Sequence, residues 1–196
     1  MAREKLRVEY TRYKILVLVS SFLSFLAVAS VAQAADYYVS TSGNDSNAGT
    51  QAAPWKTPLR AFNTTQLQPG DTVYFLAGDY YLTDPDNFLY IKKSGRSGAP
   101  ITFKPYNDGK VTLIWAATEP PSNGRSRMLY ISDNISYVVI DGLNFFQTEV
   151  SRRISIIDNT TLTPAGQNSE TSINAIQIRG NNVWIKNVSI DNFSGP

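Results

Sequence analysis

YVVIDGLNF at residues 137–145 and NVWIKNVSI at residues 182–190 repeat one pattern, in which two short segments of alternating residues are separated by a two-residue break. Alternation of apolar and polar residues is typical of β-strands that bury one face. Each copy follows a further alternating segment, at residues 128–131 and 175–178. Short strands that recur after tens of residues predict a solenoid, whose successive coils stack on one another.

Three such coils, called rungs below, are predicted after residue 88, and each contains three strands. Their first strands begin at Leu89, Leu129 and Ile176, so the spacings are 40 and 47 residues. A bare rung needs roughly 20 to 25 residues. The excess lies in two loops, 116–127 and 147–171, which join the third strand of one rung to the first strand of the next. Insertions on one face of a solenoid commonly form its binding face.

The break between the second and third strands supports this interpretation. It reads Asp141-Gly142 in one rung and Lys186-Asn187 in the next. A sharp corner there requires a residue in the left-handed conformation, which Gly and Asn accept more readily than other residues. We therefore expect Gly142 and Asn187 to occupy equivalent corner positions.

Residues 1–34 have the three parts of a secretory signal peptide. A basic start precedes an apolar run at 15–31, and Ala32-Gln33-Ala34 forms a small-residue cleavage site. The alternative is an uncleaved membrane anchor, because the run is near the lower length limit for a span. Cleavage predicts a secreted, periplasmic or cell-surface protein that keeps no membrane segment.

Residues 35–87 are predicted to form the N-terminal cap of the solenoid, and residues 88–196 its first rungs. Within the cap, Thr57 is a suitable N-cap and Pro58 a suitable first residue for a short helix. A strand is expected at 36–40 and another at 72–76. We expect the series of rungs to be incomplete at the C-terminus, because no closing segment follows the third rung.

Composition excludes several classes of function. Without residues 1–34, the chain has 13 basic and 14 acidic residues, so no polybasic surface for nucleic acid remains. The chain contains no cysteine and no histidine, which excludes disulfides, histidine-based catalysis and histidine metal sites in this chain. Stability must therefore come from packing.

Five motifs share a further pattern: YYVS at 37–40, SGNDSNAGT at 42–50, APWKT at 53–57, PGDTVY at 69–74 and GAPITF at 98–103. Together they resemble the N-terminal part of secreted right-handed parallel β-helix proteins of the pectate lyase-like superfamily. The resemblance covers about residues 36–194. It implies an all-β fold, a right-handed parallel β-helix, to which the residues add a short N-terminal capping helix and an expected truncation at the C-terminus.

The resemblance also implies a function directed at carbohydrate. The first hypothesis is a polysaccharide lyase that cleaves uronate-containing polysaccharide by β-elimination, with Ca²⁺ as cofactor and a Lys or Arg base on middle and later rungs. Because later rungs are not present, no catalytic residue or metal ligand is assigned and the active site is expected to be incomplete. The alternatives are a non-catalytic adhesin or carbohydrate-binding β-helix, and a glycoside hydrolase. Enzymatic activity therefore stays open.

Substrate-binding candidates come from the outward positions of the first strands. Alternation places them in two columns across the rungs: Tyr90, Tyr130 and Gln177 in one, and Lys92, Ser132 and Arg179 in the other. Tyrosine can cover a pyranose ring, and a cation can pair with a uronate carboxylate. The adjacent Arg152 and Arg153 in the longer loop could clamp a carboxylate. The alternative is an ordinary solvated sheet face with solvated loop charges.

The carboxylates select no site. Asp84, Asp86, Asp133 and Asp141 lie in or beside turns, and the 42–47 loop is rich in oxygen atoms without EF-hand spacing. We interpret these residues as turn formers. Any two of them could make a glycosidase pair, and nothing in the sequence selects a pair.

Overall fold

The computed structural model describes residue 14 and residues 33–84, 86–117, 126–148 and 173–191. The chain divides into two compact units, Met1–Ala32 and Gln33–Pro196, and all features below belong to the second. The described residues of that unit form a short helix, α1 (Pro58–Phe62), and twelve strands. The strands are β1 (Asp36–Val39), β2 (Thr72–Phe75), β3 (Gly78–Leu82), β4 (Leu89–Tyr90), β5 (Ile101–Pro105), β6 (Val111–Trp115), β7 (Ser126–Ile131), β8 (Ser136–Asp141), β9 (Asn144–Gln147), β10 (Ile173–Ile178), β11 (Asn181–Lys186) and β12 (Ser189–Asp191).

The strands form three parallel sheets. The first-strand sheet has the order β4-β7-β10, the second-strand sheet β1-β2-β5-β8-β11, and the third-strand sheet β3-β6-β9-β12. The chain visits each sheet in turn and returns one strand further along, which is the topology of a parallel β-helix. The three predicted rungs are confirmed as β4-β5-β6, β7-β8-β9 and β10-β11-β12. Strands β2 and β3 precede them in the same sheets, and the sequence analysis had not assigned β3.

The core is a stack of inward-facing apolar side chains. Leu89 pairs in register with Leu129, and Leu129 with Ile176. All three are buried. In the third-strand sheet Leu113 pairs with Phe145, and both are fully buried. Burial of each such side chain stabilises the fold by roughly 1.5 to 3 kcal/mol. Because these side chains stack on those of the adjacent rung, each rung contributes to the stability of its neighbours.

The predicted corner residues adopt the left-handed conformation. The φ angle is 71° at Gly142 and 53° at Asn187. The Gly142 N–H donates to the Lys186 carbonyl at 3.0 Å, and the Asn187 side-chain amide donates to the Asp141 carboxylate at 2.8 Å. The corner prediction is therefore confirmed, and hydrogen bonds join the two corners.

The short helix packs its apolar side against the strands. Thr57 caps it by accepting a hydrogen bond from the Arg60 backbone N–H, and Pro58 begins it, as predicted. Phe62 is fully buried and stacks on Phe103 of β5, with ring centroids 4.3 Å apart. A few residues upstream, the buried Trp55 stacks on Tyr37 of β1 at 4.9 Å. Helix α1 and Trp55 therefore pack the segment between β1 and β2, residues 40–71, against the second-strand sheet. This segment is called the N-terminal segment below.

Candidate functional site

The first-strand sheet aligns the predicted Tyr90–Tyr130–Gln177 column. Tyr90 pairs in register with Tyr130, and Tyr130 with Gln177. The two tyrosine rings stack with centroids 5.6 Å apart and planes 15° apart. Phe88 sits with its ring edge-on to both, at 6.3 Å and 6.4 Å. Three half-buried aromatic rings thus line the outer side of this sheet.

Arg127 completes this cluster, and the sequence analysis had assigned it to a loop. Its guanidinium carbon lies 4.3 Å from the ring centroid of Tyr130 and 4.8 Å from that of Phe88. Its Nη1 donates to the side-chain oxygen of Gln177 at 2.5 Å. A guanidinium over aromatic faces is held by cation–π attraction. The cluster of Phe88, Tyr90, Arg127, Tyr130 and Gln177 is called the aromatic–arginine face below.

The N-terminal segment positions this face. Asn63 follows helix α1, and its side-chain oxygen accepts a hydrogen bond from the Tyr90 backbone N–H at 2.7 Å. The Asn63 amide also donates to the Phe88 carbonyl at 3.4 Å. The two bonds satisfy backbone groups of strand β4 and of Phe88, which precedes it. Asn63, at the end of helix α1, therefore helps to position two of the three rings.

The second predicted column is only partly exposed. Lys92 and Arg179 are exposed, and the Arg179 backbone N–H donates to the Ile131 carbonyl at 2.7 Å. Ser132 was expected to point outward, but it is only 5% exposed. Its hydroxyl lies 3.3 Å from the Tyr90 hydroxyl and also donates to the Asn134 side chain. Ser132 thus lies on the same side of the sheet as Tyr90, as predicted, but Tyr90 and Asn134 cover it.

Arg152 and Arg153 lie outside the described residues, as do most of the two long loops. Their predicted role as a carboxylate clamp stays a prediction. The same holds for the binding role of Tyr90, Lys92, Tyr130, Gln177 and Arg179.

Two of the carboxylates in the described ranges hold turns. Asp45 accepts hydrogen bonds at 2.8 Å from the backbone N–H groups of Lys56 and Thr57 and from the Thr57 hydroxyl. Asp84 accepts from the Asp86 N–H and the Asn87 amide. No group of three or more acidic side chains within the described part of the chain could hold a metal ion. No calcium ligand is therefore assigned among these residues, and Ca²⁺ as cofactor stays a prediction.

In the portion of the chain that the structure describes, no helix is long and apolar enough to cross a membrane.

The topology, with its parallel strands in three sheets, defines the chain as a parallel β-helix protein. Residues 37–195 match the family model "Pel9A-like, right handed beta helix region". The chain belongs to this family, which confirms both the handedness and the suspected resemblance.

Two curated relatives align with about half of the chain. The uncharacterized protein YwoF of Bacillus subtilis is 36% identical over 101 residues, which are 50% of this chain and 20% of that protein. Pectate lyase PEL9 of Emericella nidulans is 36% identical over 90 residues, which are 46% of this chain and 20% of that enzyme. The alignments thus span only about a fifth of each relative.

Among solved structures, a GH136 lacto-N-biosidase from Eubacterium ramulus superposes with a TM-score of 0.52 at 20% identity. The match covers 79% of this chain and 26% of that enzyme. At this level of identity the likeness supports the fold alone.

Proposed function

We propose that the aromatic–arginine face binds an acidic polysaccharide, and that the chain belongs to an exported polysaccharide lyase that cleaves uronate-containing polysaccharide by β-elimination. The observation that carries the binding proposal is the stack of Tyr90 on Tyr130 beside the Arg127 guanidinium. The lyase assignment draws on family membership and on the relative named pectate lyase.

The aromatic rings supply the surface for a sugar ring. Tyr90 and Tyr130 lie on successive rungs, which are about 4.8 Å apart in a parallel sheet. Because the two rings stack on each other, they offer their edges side by side, which gives an extended contact to a chain of pyranose rings rather than to one ring. Tyrosine buries apolar area with little loss of side-chain freedom and keeps a hydroxyl for hydrogen bonding. An oligosaccharide lying across the rungs would therefore contact both rings.

Arg127 supplies the group that suits a uronate. A guanidinium can donate two parallel hydrogen bonds to one carboxylate, which are stronger than bonds between neutral groups. Lys92 and Arg179, exposed beside the same sheet, add positive charge. Arginine stays protonated in proteins, so we assign Arg127 to carboxylate binding rather than to proton abstraction.

The proposed reaction needs this neutralisation. A base removes the proton on the carbon next to the carboxylate, and the bond between the β-carbon and the glycosidic oxygen breaks. A carbon–carbon double bond forms in conjugation with the carboxylate, and the leaving oxygen takes up a proton. A cation on the carboxylate stabilises the negative charge that develops as the proton leaves. Arg127 would hold the substrate carboxylate in this role.

A non-catalytic binder is the second candidate. It is favoured by the aromatic–arginine face itself, whose rings and guanidinium suit binding of a sugar chain. Such a protein would hold polysaccharide at the cell surface without cleaving it. Export rests on the predicted signal peptide at residues 1–34, and calcium dependence rests only on the resemblance.

Incubation of the full-length chain with polygalacturonate separates these functions. A lyase releases unsaturated products that absorb in the ultraviolet, and its activity falls when a chelator removes required calcium. A hydrolase releases reducing ends without that absorbance, and a binder is retained on the polymer without new ends. Absence of both retention and cleavage on uronate-containing polymers would refute the proposal.

A further inference from the structure

A groove of about 920 Å³ lies at the outer corner where the second-strand sheet turns into the third-strand sheet. This volume is in the range of small-molecule and sugar sites. The groove is distinct from the aromatic–arginine face, since it shares no residue with it. Its lining is aromatic at one end and rich in amides and carboxylates at the other. The residues that carry the argument are Tyr38, Tyr74, Tyr106, Lys104, Asp141 and Asn187.

One row of outward side chains runs across the second-strand sheet. Tyr38 pairs in register with Tyr74, and Tyr74 with Lys104. On the next two strands Asp141 pairs with Lys186, and their charged groups form an ion pair at 3.2 Å. Because the strands are hydrogen-bonded in register, the row is a rigid ladder rather than a set of independent surface residues.

Three tyrosines form the aromatic end. Tyr38 and Tyr74 stack with centroids 5.4 Å apart. Tyr106 stands nearly perpendicular to them, with centroids 5.5 Å from Tyr38 and 5.7 Å from Tyr74. The Tyr106 hydroxyl accepts a hydrogen bond from the Gln51 amide at 3.0 Å. All three rings are half-buried, so each keeps accessible area beside fixed packing.

Both signs of charge line the groove. Asp36 lies on β1 with Tyr38, the Lys104 ammonium lies 5.1 Å from the ring centroid of Tyr74, and Asp108, Lys110 and Asp141 complete the charged lining. Asp141 is further engaged by Lys186 and by the Asn187 amide. A groove without a positive excess does not favour a polyanion. Carboxylate, amide and ammonium groups beside aromatic rings do match the hydroxyls and the apolar ring face of an uncharged sugar.

From this geometry we infer that the corner groove is a second carbohydrate site, which takes a neutral glycan. The aromatic–arginine face and the corner groove would then select different polymers, one acidic and one neutral. The inference goes beyond the proposed function, because neither the lyase reaction nor its substrate requires this corner.

Affinity electrophoresis of the full-length chain tests the inference, with galactan, arabinan or soluble β-glucan cast in the gel. We expect at least one neutral polymer to retard the wild-type chain, and added salt to leave this retardation unchanged, because no ionic attraction contributes to it. Tyr106→Ala should weaken the retardation about tenfold or more, as expected when an aromatic anchor is truncated. Lys104→Gln should also weaken the retardation. It serves as the second variant because this half-exposed side chain can change without disturbing the core.

Two further variants complete the design. Tyr81→Ala removes a tyrosine that is 61% exposed on β3 and should leave binding of all polymers unchanged. Tyr90→Ala, in the aromatic–arginine face, should weaken binding of polygalacturonate and spare the neutral polymer. The inference is overturned if no neutral polymer retards the wild type, if Tyr106→Ala and Lys104→Gln both bind it normally, or if Tyr90→Ala abolishes neutral binding.

Discussion

Replacing Arg127 tests the proposed acidic-polysaccharide site most directly. In Arg127→Ala the guanidinium over Tyr130 and Phe88 is lost, together with its hydrogen bond to Gln177. A charge-assisted contact to a buried or half-buried partner contributes about 1.5 to 3 kcal/mol. This corresponds to roughly 10- to 150-fold weaker binding of a uronate oligosaccharide. The loss of the cation–π contacts, which are half-buried, should lower the free energy of unfolding by about 0.5 to 2 kcal/mol for each contact.

Isothermal titration calorimetry with a defined oligogalacturonate measures this loss, and urea unfolding shows that the variant stays folded. Arg127→Lys keeps the charge but loses the planar fork, so its affinity should fall between those of the wild type and the alanine variant. Arg96→Ala, at an exposed position before Gly98, is the matched control and should bind normally. Wild-type binding should weaken with salt, and Arg127→Ala should show a smaller salt dependence. Equal affinities of Arg127→Ala and the wild type would refute the assignment of this face to carboxylate recognition.

Three further predictions concern stability. Phe62→Ala removes a fully buried ring that stacks on Phe103, so we expect the free energy of unfolding in urea to fall by about 3 to 5 kcal/mol. A loss below 1 kcal/mol would contradict the packing role of helix α1. Gly142→Ala and Gly98→Ala both place a methyl group at positive φ, at 71° and 75°, and each should cost roughly 1 to 2 kcal/mol. Gly142→Ala should destabilise more, because its new Cβ would lie 3.2 Å from Cδ of Pro105, whereas no atom lies within 4 Å at Gly98. Equal losses of unfolding free energy in the two variants would argue against the tight corner. Burial raises the pKa of Tyr80 from 10.0 to about 12, so the folded state holds this proton where the unfolded chain releases it. Stability should therefore fall as the pH rises from 10 towards 12, and Tyr80→Phe should lessen this fall in urea midpoints measured across the range.

Local pattern was enough to predict the rungs. Alternation along single strands identifies which side chains face inward, because successive residues of a strand point to opposite sides. The corners at Gly142 and Asn187 were predictable for a similar reason, since the left-handed conformation is a property of one residue and its neighbours. The in-register column of Tyr90, Tyr130 and Gln177 then followed from aligning the first strands of successive rungs.

The candidate site was predicted less completely. Strand β7 begins at Ser126, so Arg127 belongs to a strand and not to the loop that the pattern suggested. Its position depends on contacts with Phe88 and Gln177, which lie 39 and 50 residues away in the chain. The burial of Ser132 depends likewise on the hydroxyl of Tyr90, a side chain from the preceding rung. No window of neighbouring residues contains this information.

The sequence by itself determined the repeat, the parallel coil and the faces of its strands, because strand alternation and corner conformation are local. Only the tertiary structure decided that Arg127 lies over aromatic rings, that Asn63 holds strand β4, and that three tyrosines meet at a distant corner. Each of these arrangements joins residues from different rungs or from the N-terminal segment. Their energy comes from packing and hydrogen bonds between distant parts of the chain, which form only after the coil has brought them together.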